Sequence, residues 1–136
     1  MFSRVNLICT LVNTVWGVIG GVILWGYIAD PLMEDHVTEG VLKTEIDYAI
    51  MTLGFVFVGW GFASIYRKFA RTDYGPISGF QLGLLAAVML GVGKKFIDLA
   101  TANLMNLEGT LINSFVYLIF FGIMGVLTGL VYKRYS

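Results

Sequence analysis

Four stretches without a charged side chain, at 5–28, 48–66, 74–93 and 109–132, run for 24, 19, 20 and 24 residues in a chain of 136. At a rise of about 1.5 Å per residue, each crosses a hydrocarbon core of about 30 Å, the shortest only just. Oil offers no partner to a backbone N–H or C=O, so such runs must coil as helices, and they lack the alternation of a barrel strand. The expected fold class is all-α: an integral membrane four-helix bundle made of two helical hairpins. A soluble core helix buried all round would have to occur four times in one small chain. A content of 57% hydrophobic and 13% charged residues is far from that of soluble domains. One transmembrane domain is expected over 1–136, with the third span able to extend toward 104. Arg4 and the run after it mimic a signal peptide, but the run is too long and no small-x-small cleavage site follows, which predicts a retained helix.

Orientation follows from the connections, because lysine and arginine are kept preferentially on the cytoplasmic side. With the N-terminus inside, Arg4, Arg67, Lys68, Arg71, Lys133 and Arg134 are cytoplasmic, against Lys43, Lys94 and Lys95 outside. Six against three predicts that both termini are cytoplasmic. Trp25, Tyr27 and Tyr48 then fall near the outer boundary and Tyr66, Tyr74, Tyr132 and Tyr135 near the inner one, where aromatic belts sit. The first outer connection, 29–47, is acidic: Asp30, Glu34, Asp35, Glu39, Glu45 and Asp47 face Lys43 alone. Pro31 and Pro76 lie at span edges, where proline ends or starts a helix.

Helices in a bilayer associate by close packing and interhelical hydrogen bonds, so small residues mark the seams. GxxxG pairs occur at Gly17 and Gly21, Gly79 and Gly83, and Gly125 and Gly129, with Gly122 extending the last. The second span offers Gly54 and Gly61 at heptad spacing instead. Intrachain packing is the plainer use of any one pair, and a dimer face the other.

Lys94, Lys95 and Asp98 continue the third span, with Lys94 and Asp98 at i,i+4 on one face. From Pro76, Lys94 lies about 27 Å along the helix, near the outer headgroups, where an interfacial anchor pair competes with an ion, substrate or headgroup site. Asn13, Gln81 and Asn113, like Asn6, Asn103 and Asn106, put amides in or beside spans. Interhelical hydrogen bonding is their plainer role, and lining a polar path the sharper one.

His36 is the sole histidine and Cys9 the sole cysteine. The chain alone therefore supplies no bis-histidine haem ligation, no Cys-ligated cluster and no zinc-protease site, and no cofactor or metal is expected. No GxSxG occurs, no serine has a plausible nearby base, and no span holds a pair of acids, so an enzyme is disfavoured. A formal net charge of zero gives no reason to expect nucleic acid.

The run 6–33, NLICTLVNTVWGVIGGVILWGYIADPLM, with GFQLGLLAAVMLGVG and NSFVYLIFFGIMGVLTGLVY further on, resembles a family of small bacterial four-span membrane proteins of unknown function. That resemblance implies topology and a bacterial plasma membrane, and no activity or site. The small multidrug transporters share size and span number, but they carry a glutamate in the first span that 5–28 lacks. The expected partners are the lipid bilayer and either other membrane subunits or a second copy of the chain. A non-catalytic accessory or self-associating protein is the first expectation. A small transporter or channel using Lys94, Lys95, Asp98 and the span amides is the alternative.

Overall fold

A computed structural model describes residues 3–40 and 47–136; Lys43 and Glu45 of the acidic connection lie outside the described residues. Each helix begins where a side chain or a proline takes care of the unpaired first turn. Ser3 accepts from the Asn6 N–H at 3.2 Å and opens α1, Arg4–His36. Asp47 accepts from the Ile50 N–H at 3.1 Å and opens α2, Tyr48–Ala70. Pro76, which has no N–H to lose, starts α3, Pro76–Thr101. Asn106 accepts from the Gly109 N–H at 2.9 Å and opens α4, Leu107–Tyr135. Arg71, at φ 59°, leaves the helical region and ends α2.

All four helices are long and apolar enough to cross a membrane, and the protein is an all-α four-helix bundle. Apolar side chains cover its surface as well as its core, and several polar ones lie inside. Leu7, Leu11, Val15, Ile19 and Ile23 form an exposed apolar stripe along α1, whereas Asn6, Asn13, Thr110 and Thr128 are fully buried. An apolar stripe of that length in water would be an aggregation site; in lipid it is the expected surface. The chain is a membrane protein.

Pro31 does not end the first helix. Residues Val22–Ala29 form a π-helix, and helical structure continues through Asp30–Met33 to a 3₁₀ turn at Glu34–His36. The Asp30 N–H reaches back five residues to the Trp25 carbonyl. That wider winding makes room for the proline ring, which otherwise clashes with the carbonyl four residues earlier. A second π segment, Ala87–Gly93, interrupts α3 between Pro76–Ala86 and Lys94–Thr101. The extension toward 104 stops at Thr101, because Ala102 is extended at φ −147°, ψ 155°.

The helices pack in the order α2, α1, α4, α3, with extensive contact along each neighbouring pair. Between α3 and α4 the backbones touch: a Cβ on Gly79 would collide with the Gly125 carbonyl, one on Gly83 with that of Phe121, and one on Gly129 with that of Gly75. Gly17 and Gly21 instead receive the Phe55 ring of α2. Among the described residues, nothing lies within 4 Å of a Cβ on Gly54 or Gly61, so the heptad pair forms no seam there; Gly59 does, lying against Asn13 and the Thr10 carbonyl.

The two ends are closed differently. At the end that carries Ser3 and Tyr135, the Tyr66, Tyr74 and Tyr132 rings pack with centroids 5.1–5.9 Å apart. Tyr66 and Tyr132 are buried inside the bundle instead of facing headgroups, because their hydroxyls find backbone partners. The Tyr132 hydroxyl donates to the Ala63 carbonyl at 3.1 Å, and that of Tyr66 accepts from the Gly75 N–H at 2.9 Å. At the other end, Val37 pairs with Met105 in an isolated antiparallel bridge, and the Thr38 N–H donates to the Leu104 carbonyl at 2.8 Å. His36 lies there with Nε2 3.2 Å from the Glu108 carboxylate and Nδ1 3.0 Å from the Asn106 amide.

Candidate functional site: an aromatic cleft between α2 and α3

Because α2 and α3 touch only sparsely, the bundle is open along one side. In its half away from the termini, this opening is a cleft of about 740 Å³, backed by α1 and α4. Both π segments border it: Val22–Ala29 contributes Trp25, Gly26 and Tyr27, and Ala87–Gly93 contributes Leu90. Such windings turn side chains out of the α register and recur at functional sites.

Phe120 of α4 is the hub of the back wall. Its ring lies 5.8 Å from Trp16, 5.2 Å from Trp25, 5.8 Å from Phe55 and 5.1 Å from Phe121, centroid to centroid. The Trp25 ring meets that of Tyr117 edge-on at 4.9 Å, and its indole N–H donates to Asn113 Oδ1 at 2.8 Å. Aromatic pairs at these separations attract one another in stacked and edge-on arrangements, so the rings form one continuous packed wall. Gly26 borders the cleft, and among the described residues nothing lies within 4 Å of a Cβ placed on it.

Charge is confined to the end near the loops. Lys95 borders the cleft with its ammonium 5.8 Å from the Tyr117 ring centroid, a cation–π distance. Asp30 of α1 borders it as well. From Asp30 to Gly21, the cleft runs about 14 Å along α1 toward mid-bilayer, at about 1.5 Å per residue. It is polar at the mouth and apolar within.

Of the six polar candidates, Lys95 and Asn113 border the cleft, and Lys94, Asp98, Asn13 and Gln81 do not. Lys94 Nζ pairs with Asp98 Oδ1 at 2.5 Å on the surface of α3, an i,i+4 contact. Gln81 is exposed on α3. Asn13 is buried among α1, α2 and α4: its amide donates to the Gly59 carbonyl at 3.4 Å and to Cys9 Sγ at 3.6 Å, and accepts from Thr128 Oγ1 at 3.1 Å. Among the described residues, no group of three or more His, Cys, Asp or Glu could hold a metal ion.

Sequence reasoning missed Trp25, Gly26, Asp30, Tyr117 and Phe120 as a group. Their aromatic content was visible, yet only the assembled helices bring these residues of α1 and α4 to one wall.

The fold and the cleft define a class: a four-helix membrane protein with an aromatic recess open at the side. Within that class, no family model, no curated protein and no solved structure matches the chain.

Proposed function

We propose that the protein is a non-catalytic membrane protein that binds an amphiphile from the bilayer in the cleft between α2 and α3. The observation that carries this reading is the cleft: about 740 Å³, packed aromatic walls, and Lys95 and Asp30 at its polar mouth. That volume lies within the roughly 300–1,000 Å³ typical of small-molecule sites, which are mostly apolar with a few placed polar groups. The apolar body of the ligand lies against Trp25, Phe55 and Phe120, and its polar head meets Lys95 and Asp30. A lateral opening lets such a molecule enter from lipid without crossing water.

The test is Gly26→Phe, which adds a ring at a position that borders the cleft and where a Cβ meets nothing among the described residues. Full-length protein is purified in mild detergent, and retained lipids are identified by native mass spectrometry. The expected result is one amphiphile retained by the wild type and lost from the variant, at unchanged thermal stability. Equal retention by both removes the reading.

A second reading, an accessory subunit or homo-oligomer that works by packing, is favoured by α2. Its outer face presents Leu53, Gly54 and Phe57 to lipid, and Gly54 and Gly61 leave notches that nothing among the described residues fills. Native mass of the detergent-solubilised assembly separates the two: co-purifying subunits or a stable multimer support packing. A polar path through Lys94, Lys95, Asp98 and the span amides draws less support, because Asn13 is bonded between helices and Lys94 is ion-paired. On charge placement and the family resemblance, we place the protein in a bacterial plasma membrane with both termini cytoplasmic.

A further inference from the structure

A second recess, independent of the cleft, lies at the opposite end of the bundle, where α2 passes into α3. It encloses about 460 Å³ and is lined by Ser64, Arg67, Lys68, Arg71, Thr72 and Tyr74. Ser64, Arg67, Lys68 and Arg71 stand at spacings of three, four and seven, which put them on one side of the last turns of α2. Arg71, at φ 59°, then turns the chain so that Thr72 and Tyr74 border the same space. Three cations thus share one concavity, and among the described residues none of them has an ion-pair partner. Asp73, the one acid in this connection, does not line the recess. The C-terminal end of α2 contributes about half a negative charge, too little to offset three positive ones.

Depth matches the charge. Arg67 lies about 28 Å along α2 from Tyr48 at about 1.5 Å per residue, so the recess opens where hydrocarbon gives way to headgroups. Positive-side topology alone calls for basic residues on this connection, but it calls for no concavity and no convergence upon one.

We propose that this recess binds a phosphate oxyanion, the group shared by phospholipid headgroups and by soluble phosphates. Arg67 and Arg71 offer forked N–H donors suited to phosphate, Lys68 a point charge, and Ser64 and Thr72 hydroxyls for the remaining oxygens.

The test uses full-length protein in nanodiscs of phosphatidylcholine, to which phosphatidylglycerol or inorganic phosphate is added. Retained lipid is counted by native mass spectrometry and the unfolding midpoint is recorded. Arg71→Gly is the informative variant, since glycine accepts φ 59° without strain and the backbone there should keep its turn. Arg67→Gln is the second variant, and Lys133→Gln with Arg134→Gln, which lie outside the recess, is the charge control.

With each recess cation removed, preference for phosphatidylglycerol over phosphatidylcholine should fall about fivefold, while the control keeps its preference. That pattern assigns the recess to a lipid headgroup. A midpoint raised by inorganic phosphate in pure phosphatidylcholine, and lost in the same two variants, assigns it to a soluble phosphate. If the wild type responds to neither, or the control loses as much as the recess variants, the recess is no anion site and the proposal is overturned.

Discussion

Thr128 of α4 donates its hydroxyl hydrogen bond to Asn13 of α1 at 3.1 Å, with both side chains fully buried. The same asparagine donates to the Gly59 carbonyl of α2 at 3.4 Å, so one amide ties three helices together at mid-bundle. The amide therefore joins the two hairpins. In lipid, where apolar burial gives helices little reason to prefer each other, such a tie adds to close packing in keeping these helices adjacent.

Asn13→Leu removes both interhelical bonds and leaves the Thr128 hydroxyl without its acceptor. Interhelical hydrogen bonds in membrane proteins are worth about 0.6 kcal/mol each and at most about 1.7, so the expected loss is about 1–2 kcal/mol. Reversible unfolding in mild detergent measures it. An unchanged stability would mean that the amide is a passive occupant of the core.

Gly125→Leu drives a side chain into the Gly79 backbone and separates α3 from α4. Overpacking of this kind costs about 1–3 kcal/mol, and more where backbone is struck. At Gly54 a Cβ meets nothing within 4 Å among the described residues, so Gly54→Leu should leave monomer stability unchanged. Equal melting of the two variants would show that α3 and α4 do not approach as closely as their glycines allow.

Asn106 caps α4 through the Gly109 N–H and also holds the His36 ring at 3.0 Å. Asn106→Ala should cost about 1 kcal/mol for the cap and loosen the bridge between Val37 and Met105. Hydrogen exchange at the Thr38 amide, which donates to Leu104, reports the loosening directly. Exchange no faster than in the wild type would confine the effect of Asn106 to its own helix.

Topology is tested with engineered thiols, because the single native cysteine, Cys9, is buried. A membrane-impermeant maleimide added to intact cells should label Lys94→Cys and leave Lys133→Cys unlabelled until the membrane is opened. The reverse pattern would put both termini outside.

The spans were legible because their cause is local. A peptide group in oil must bond within its own segment, so an uncharged run long enough to cross is a helix whatever surrounds it. The glycine positions were legible only as spacings. Gly54 and Gly61 repeat as regularly as Gly79 and Gly83, yet only the second pair meets another backbone. Gly59, which has no partner at that spacing, lies directly against α1 at Asn13 and Thr10.

What the sequence determined by itself is that this is a membrane protein of four helices, since the energetics of a buried peptide bond act one segment at a time. The tertiary structure alone decided that α2 and α3 stand apart, that π turns carry the chain past Pro31, and that Lys95, Asp30 and the rings around Phe120 border one cleft. These depend on which faces meet across distant parts of the chain. The spacing of small and apolar residues shows that a face exists but not which other face it will fit.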